Sequence, residues 1–358
     1  MATLLEYKCP ACDGALSFDS GLQKMKCPYC DTEFEVAALQ EMDEVLRHEG
    51  TSDYTWQSQP EALWSEDETQ NLRSFVCNSC GGEIVGDENT AATRCPFCDN
   101  PVVMSGQFKG ELRPDLVVPF QLDKEQAKAA LKKHFGKKPL LPRLFTAQNR
   151  IESIQGIYVP FWLFDTDAEA SIRYKATRIH TWSDSNYIYT RTSYYSLLRA
   201  GRIGFDNVPV DGSSKMSDEL MESIEPYDLG KAVDFQTAYL AGYLADKYDV
   251  TADDSKPRAN DRIRTSTEQA FAATTAGYAT AIAVNTDIRL NGGRVRYALL
   301  PVWILTTRWK DKAFTFAMNG QTGKLVGNLP IDWKRFWMYV LSIGMSIGAV
   351  LSLIMCLG

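Results

Sequence analysis

The spacing of apolar and polar residues changes several times along this chain. From Asp123 onward, Ala127, Ala130, Leu131 and Phe135 recur at helical spacing as far as Gly136, and Asp123 is placed to cap the helix they predict. Further helices are predicted at about 37–48, 216–225 and 251–275, the last with Ala270, Phe271, Thr274 and Thr275 on one stripe. Runs rich in Tyr, Thr, Ile, Val and Trp predict strands at 157–164, 169–179, 186–198, 279–290, 294–308 and 312–318. Asn291-Gly292-Gly293 and Asn319-Gly320-Gln321-Thr322-Gly323 fall between such runs, where hairpin turns belong. Residues 50–70 read as a linker with a short docking helix that carries Trp56 and Trp64.

The last apolar run has a different character. Residues 336–357 hold no charge, and at ~1.5 Å per residue they reach roughly 33 Å as a helix, enough for a hydrocarbon core of about 30 Å. Lys334 and Arg335 precede the run, with Trp333, Trp337 and Tyr339 at its edge, and no charge follows. These features predict one C-terminal transmembrane helix with the preceding domains in the cytoplasm. The N-terminus carries no basic segment followed by an apolar one, so no secretory signal is expected. Within the run, Gly344 and Gly348 form a Gly-x-x-x-Gly spacing that would let two helices approach as a homodimer.

Eight of the nine cysteines lie in four Cys-x-x-Cys pairs; the ninth, Cys356, sits in the apolar tail. Cys9 and Cys12 pair with Cys27 and Cys30, and Cys77 and Cys80 pair with Cys95 and Cys98, each time across fourteen residues. Two such knuckles joined by a hairpin close a thiolate tetrahedron, which predicts two structural Zn²⁺ ions. Iron suits the same ligands. Asp19-Ser20-Gly21 supplies the first hairpin turn, and Gly86-Asp87 lies near the second. Cys27-Pro28-Tyr29-Cys30 also matches a redox motif, but no βαβ unit precedes it and the Cys9 pair accounts for all four thiols. The domains expected are ribbon 1 at 1–36, an acidic helix and linker at 37–74, ribbon 2 at 75–105, an α+β domain of mostly antiparallel strands at 112–330, and the span at 336–357. Inside the α+β domain, Tyr158-Val159-Pro160-Phe161-Trp162 resembles Leu300-Pro301-Val302-Trp303, which suggests a duplicated β unit.

Charge narrows the function. Residues 1–110 carry 7 Lys/Arg against 19 Asp/Glu, a balance of −12, and residues 111–358 carry 31 against 26, or +5. Each four-thiolate zinc centre adds about −2 to the first part, so the ribbons are poor partners for nucleic acid. Gly320-Gln321-Thr322-Gly323-Lys324 is too short for a phosphate-binding loop. His48, His134 and His180 lie in no catalytic spacing, and no catalytic residues are expected. Lys132, Lys133, Lys137 and Lys138 suit a helix C-terminus, with anionic lipid headgroups as the alternative contact.

The chain resembles bacterial TFIIB-type zinc-ribbon-containing membrane proteins, a group loosely labelled after the primosomal helicase. The likeness covers nearly the whole chain. It runs through Tyr7-Lys8-Cys9-Pro10, Cys77-Asn78-Ser79-Cys80-Gly81-Gly82, Cys95-Pro96-Phe97-Cys98, the Tyr158 motif, Val210-Asp211-Gly212-Ser213-Ser214-Lys215-Met216, Glu225-Pro226-Tyr227 and Phe316-Ala317-Met318-Asn319-Gly320. The eight cysteines match that group's ribbon ligands one by one, and the resemblance implies no established activity. The layout is also similar to zinc-ribbon membrane proteins that work with phage-shock coiled-coil and SPFH-type scaffold proteins in envelope stress. The function expected is a non-enzymatic, membrane-tethered adaptor that presents acidic ribbon surfaces to protein partners; the alternative is a nucleic-acid-associated protein of replication or transcription.

Overall fold

A computed structural model of the chain describes residues 9, 14–37, 39, 54–58, 62–87, 94–107, 112–136, 138–310 and 312–357, with the side chains of 350–357 and several others outside the description. The helix expected at 37–48 lies almost wholly outside these residues. The described strands in chain order are β1 (Ser17–Asp19), β2 (Lys24–Lys26), β3 (Glu33–Phe34), β4 (Tyr54–Ser58), β5 (Leu72–Val76), β6 (Glu83–Asp87), β7 (Val103–Gln107), β8 (Leu116–Val117), β9 (Gln155–Ser183), β10 (Ile188–Asp211), β11 (Val233–Asp234), β12 (Leu244–Asp246), β13 (Thr280–Trp309), β14 (Lys312–Asn319) and β15 (Leu325–Gly327). The fold is α+β with mostly antiparallel pairing. Strands β1, β2 and β3 form a small sheet of their own.

The chain divides into two compact units, one built from Met1–Gln59, Phe164–Val208 and Lys256–Val295, the other from Pro60–Leu163, Pro209–Ser255 and Arg296–Gly358. In the first unit, alternate residues of β9 (Ala168, Ala170, Ile172, Tyr174 and Ala176) are buried with Leu197, Ile288 and Leu290. The helix Ala252–Ala273 covers this face with Ile263 and Phe271, and its buried stripe runs Ala259, Ile263, Thr267, Phe271. Ala270 and Thr274, expected on that stripe, face outward, because burial here follows a strict four-residue step.

Two expectations are corrected in this unit. The runs 279–290 and 294–308 are one strand, and Asn291-Gly292-Gly293 is an irregularity within it rather than a hairpin turn. Gly292 takes φ +70, and the register with β4 shifts between Leu290 and Gly293. Gly293 serves close approach: a Cβ there would collide with the Trp56 indole. Trp56 itself lies on β4, not on a docking helix. Its ring meets Phe164 edge-on at 4.9 Å, and Nε1 donates to Asn260 Oδ1 at 3.1 Å. In the same way, the runs 157–164 and 169–179 merge into β9.

The second unit holds a sheet in the order β11-β8-β13-β9-β12-β6-β5-β7. About the β13–β9 neighbours the order repeats itself. Strand β8 lies parallel to β13 (Ala298↔Leu116) and β12 lies parallel to β9 (Leu244↔Ile157), and each has an antiparallel outer neighbour. The likeness between the Tyr158 and Leu300 motifs extends to hydrogen bonds. Gly212 donates its N–H to the Pro160 carbonyl at 2.9 Å, and Gly320 donates to Pro301 at 2.8 Å. The Gly212 carbonyl accepts from Asp249 and Val250; the Gly320 carbonyl accepts from Gln121 and Leu122. Trp162 Nε1 donates to Val250 O at 2.9 Å, and Trp303 Nε1 donates to Leu122 O at 3.1 Å. Each accepting segment then enters a helix, Lys124–Gly136 or Ala252–Ala273. Asp123 caps the first in a reciprocal box with Gln126, as its sequence predicts, and Ala127, Leu131 and Phe135 pack against Trp303, Leu305, Phe316 and Met318.

The C-terminal helix runs Trp333–Leu357. Asp332 accepts from the Lys334 N–H, and Arg335 Nη1 donates to Leu141 O at 2.7 Å, so its first turn is fastened to the second unit. Its apolar side chains from Trp337 to Ile347 stand exposed. Among the described residues, no helix is long and apolar enough to cross a membrane. Residues 350–357, the last part of the expected span, have no described side chains. Among the described residues, nothing beyond the helix's own backbone lies within 4 Å of where a Cβ on Gly344 or Gly348 would stand.

Candidate metal centres

The four knuckles share one backbone design. In each described case the N–H of the first cysteine donates to the carbonyl five residues on: Cys9 to Gly14 (2.7 Å), Cys27 to Thr32 (3.0 Å), Cys77 to Gly82 (3.0 Å) and Cys95 to Asn100 (2.7 Å). The residue at the fourth step, Asp31, Gly81 or Asp99, donates back to the first cysteine and takes a positive φ of 57, 71 or 60. Asp, Asn and Gly tolerate that left-handed turn best. The sequence carries this signal beside the cysteines, as Asp13, Asp31, Gly81 and Asp99, and a search for ligands alone passes over it.

The fifth step explains two more residues. A Cβ on Gly82 would lie 3.1 Å from Phe97 Cδ2, and a Cβ on Gly14 would lie 2.5 Å from Tyr29 Cδ2. In each module the aromatic residue of the Cys-Pro-aromatic-Cys knuckle packs onto the glycine that closes the opposite knuckle. The settings differ: Tyr29 is 75% exposed, whereas Phe97 is 8% exposed and belongs to the main core with Val118, Ile157, Phe161 and Met216.

In the second module, the sulfurs of Cys77, Cys80, Cys95 and Cys98 all lie within 4.8 Å of one another. Cys77 and Cys98 are 3.5 Å apart and Cys80 and Cys95 are 3.6 Å apart. A tetrahedral ion with metal–sulfur bonds of ~2.3 Å sets such edges at about 3.8 Å, so the donor set fits a metal ion. In the first module, Cys9, Cys27 and Cys30 come together, with Cys9 and Cys30 at 3.6 Å. Cys12 lies outside the described residues.

Local dipoles favour the anionic sulfurs. Burial raises the Cys77 thiol, but the N–H groups of Cys80 and Ser79 and the neighbouring thiols outweigh it and lower its pKa to about 7. Burial dominates at Cys80 and Cys95, which are held above the ordinary thiol range. A bound dication offsets that cost. Two residues past the last cysteine, a polar side chain reaches its sulfur in both modules: Thr32 Oγ1 at 3.2 Å from Cys30, and Asn100 Nδ2 at 3.4 Å from Cys98. These residues orient ligands and are not visible from cysteine spacing.

The second module is built into its unit. Strand β6 pairs with β12, Lys247 Nζ meets Glu83 Oε2 at 3.2 Å, Thr306 Oγ1 donates to Pro96 O at 2.7 Å, and Arg150 Nη1 reaches Asp99 Oδ2 at 3.0 Å. Gly86 and Asp87 end β6, paired with Arg73 and Leu72, and residues 88–93, next to which the second turn is expected, lie outside the described residues. The Asp19 turn of the first module is as its sequence predicts, with Asp19 Oδ1 accepting from Gly21 and Leu22.

Beside this module lies a polar cluster that sequence reasoning missed. Ser213 Oγ donates to Asp246 Oδ2 at 2.5 Å, and the Ser213 N–H donates to Asp211 Oδ1 at 3.0 Å. Asp246 is 2% exposed, and among the described residues Asp211 Oδ2 and Asp246 Oδ1 have no hydrogen-bond partner. Burial pushes both carboxyls up to about 8, with Asp246 and Asp249 adding to the rise at Asp211 and Asp249 to that at Asp246. The counterpart of Asp211 in the other repeat is Asn319. Its amide is fully used: Oδ1 accepts from Gln321 and Thr322, and Nδ2 donates to Ile224 O and Pro226 O.

No protein-family model matches the chain, and no solved structure matches it. It is 35% identical over 329 residues to the uncharacterized protein YdjG of Bacillus subtilis (strain 168), an alignment covering 92% of this chain and 91% of that protein. At that identity and coverage, the chain belongs to the same protein family as Bacillus subtilis YdjG.

Proposed function

We propose that this protein is a membrane-tethered, non-enzymatic adaptor whose two ribbons, each folded around a structural Zn²⁺, present acidic surfaces to protein partners on the cytoplasmic face. The observation that carries the reading is the uninterrupted helix Trp333–Leu357, whose apolar side chains from Trp337 to Ile347 stand in the open while Asp332 and Arg335 hold its start. The sequence supplies 22 uncharged residues at 336–357, enough for one span, with Lys334 and Arg335 on the cytoplasmic side. Four cysteines saturate a tetrahedral zinc, so the metal folds the ribbon and offers no position to a substrate. Gly344 and Gly348 lie on the exposed helix, where they would bring two copies together. The layout fits work with membrane scaffold proteins in envelope stress.

The test is crosslinking and mass spectrometry of the full chain in its membrane, beside a chain ending at Asp332 and the variants Cys9→Ser and Cys77→Ser. Recovery of membrane scaffold or stress proteins, lost on truncation and on ribbon unfolding, supports the adaptor. Recovery of replication or transcription proteins, with salt-sensitive DNA or RNA binding, would replace it by the nucleic-acid reading.

A further inference from the structure

In the first unit, β9 and β10 run on into a hairpin whose residues from Arg178 to Thr192 are all exposed. The turn is ordered: Asp184 Oδ1 accepts from the N–H groups of Asn186 and Tyr187, and Tyr189 donates its hydroxyl to Asp184 Oδ2 at 2.9 Å. Around it stand Trp182, Tyr187, Ile188 and Tyr189, with Tyr187 67% and Ile188 78% exposed. His180, Trp182 and Tyr189 stack in a row, at 5.4 and 5.5 Å between neighbouring rings. Hairpin tips do not ordinarily display this much aromatic and aliphatic surface.

The charge around the tip is one-sided. Between residues 171 and 202 there are six Lys/Arg against a single carboxylate, Asp184. Arg178 is held over the rings of Tyr195 and Tyr278, at 5.5 and 4.9 Å, and Arg191 stands exposed on the facing strand. Trp and Tyr are the side chains that favour the headgroup layer of a bilayer, and each Lys or Arg near an anionic leaflet adds attraction. The rings stack on one another rather than standing apart as platforms for bases.

We propose that the Trp182–Tyr189 hairpin tip is a second membrane contact, which inserts its aromatic residues among anionic lipid headgroups while Arg178 and Arg191 meet the lipid charge. It goes beyond the tether proposed above, since it requires anionic headgroups and a transmembrane helix does not.

The test is hydrogen–deuterium exchange of the full chain reconstituted in vesicles of neutral lipid and of neutral lipid mixed with phosphatidylserine or phosphatidylglycerol. The expected result is slowed exchange at 179–191 in anionic vesicles only, lost in Trp182→Ser/Tyr187→Ser/Ile188→Ser, with each of Arg178→Gln and Arg191→Gln weakening the response about fivefold. The arginine variants serve alone if the triple variant loses its bound metal. Equal exchange at 179–191 in both vesicle types overturns the proposal. So does slowing that tracks protein density in neutral vesicles, which would mean a second copy, or slowing by added RNA without any by lipid. Flotation with neutral vesicles reads the tether separately: a chain that floats only with anionic vesicles would sink the tether and leave the tip contact standing.

Discussion

The ring of Phe97 lies against the backbone of Gly82, with Cδ2 3.1 Å from where a Cβ would stand. This contact locks the two knuckles of the second module together, one bearing Cys80 and the other Cys95. Phe97 is part of a packed core and has little room to withdraw. Gly82→Ala should therefore cost about 1–3 kcal/mol and speed metal loss to a chelator. Gly14→Ala creates the closer approach, yet exposed Tyr29 is free to swing outward, so its effect should be smaller. Thermal melts and chelator-release rates of the two variants check the order, and a larger loss from Gly14→Ala would contradict it.

Metal removal should act unequally on the two modules. Cys77 and Cys95 lie in the same core as Val118, Ile157 and Leu300, whereas the described part of the first module is a three-stranded sheet of its own. Cys77→Ser is expected to lower the main unfolding transition, by an amount on the order of 3–5 kcal/mol. Cys9→Ser should remove one bound metal ion and leave that transition near its original place. Calorimetry with metal analysis distinguishes the two.

Asp211 and Asp246 predict a pH dependence. Both carboxyls are raised to about 8 by burial, so the folded state holds protons that the unfolded chain, with ordinary carboxyls near 4, has released. Their contribution is fully present below about pH 4 and is lost as pH rises to about 8. Asp249, Lys215 and Asp218 act on the same groups from nearby. Asp246→Asn should flatten stability across that window and raise it by at least about 1 kcal/mol at pH 8.5. An unchanged slope in urea unfolding between pH 5 and 8.5 would count against the assignment.

Trp162 and Trp303 form a matched pair. Replacing either with Phe removes an indole N–H from a main-chain carbonyl, Val250 or Leu122, and should cost about 1–3 kcal/mol. Similar losses from the two variants, read by denaturant unfolding, are the signature of equivalent roles in the repeats.

The parts of this fold legible in the sequence are those set by local chemistry. The Cys-x-x-Cys knuckles, the Asp123 cap and the Asn319–Gly323 turn each rest on a few neighbouring residues. The length of β13 was not legible, because Gly292-Gly293 reads locally as a turn and only Trp56, more than 200 positions away, reveals a close approach within a strand. The burial of Asp211 and Asp246 was equally hidden. Their neighbours in sequence resemble an exposed polar loop, and only the pairing of β12 with β6 and β9 encloses Asp246. Of the candidate metal centres, the seven described cysteines that cluster could be read directly, while Gly82, Phe97 and Asn100 became visible only once the knuckles faced each other.

The crossed indole bonds have a consequence for how the central region can be divided. Trp162 of the first repeat closes on the segment that opens the second helix, and Trp303 of the second closes on the segment that opens the first. Each half thus supplies the other's missing edge, as the subunits of an exchanged dimer do, but along one chain. A cut between residues 214 and 240 would leave two fragments that each expose an unfinished core. They should remain unfolded apart and regain structure only when mixed, so that this region behaves as one indivisible folding unit despite its doubled design.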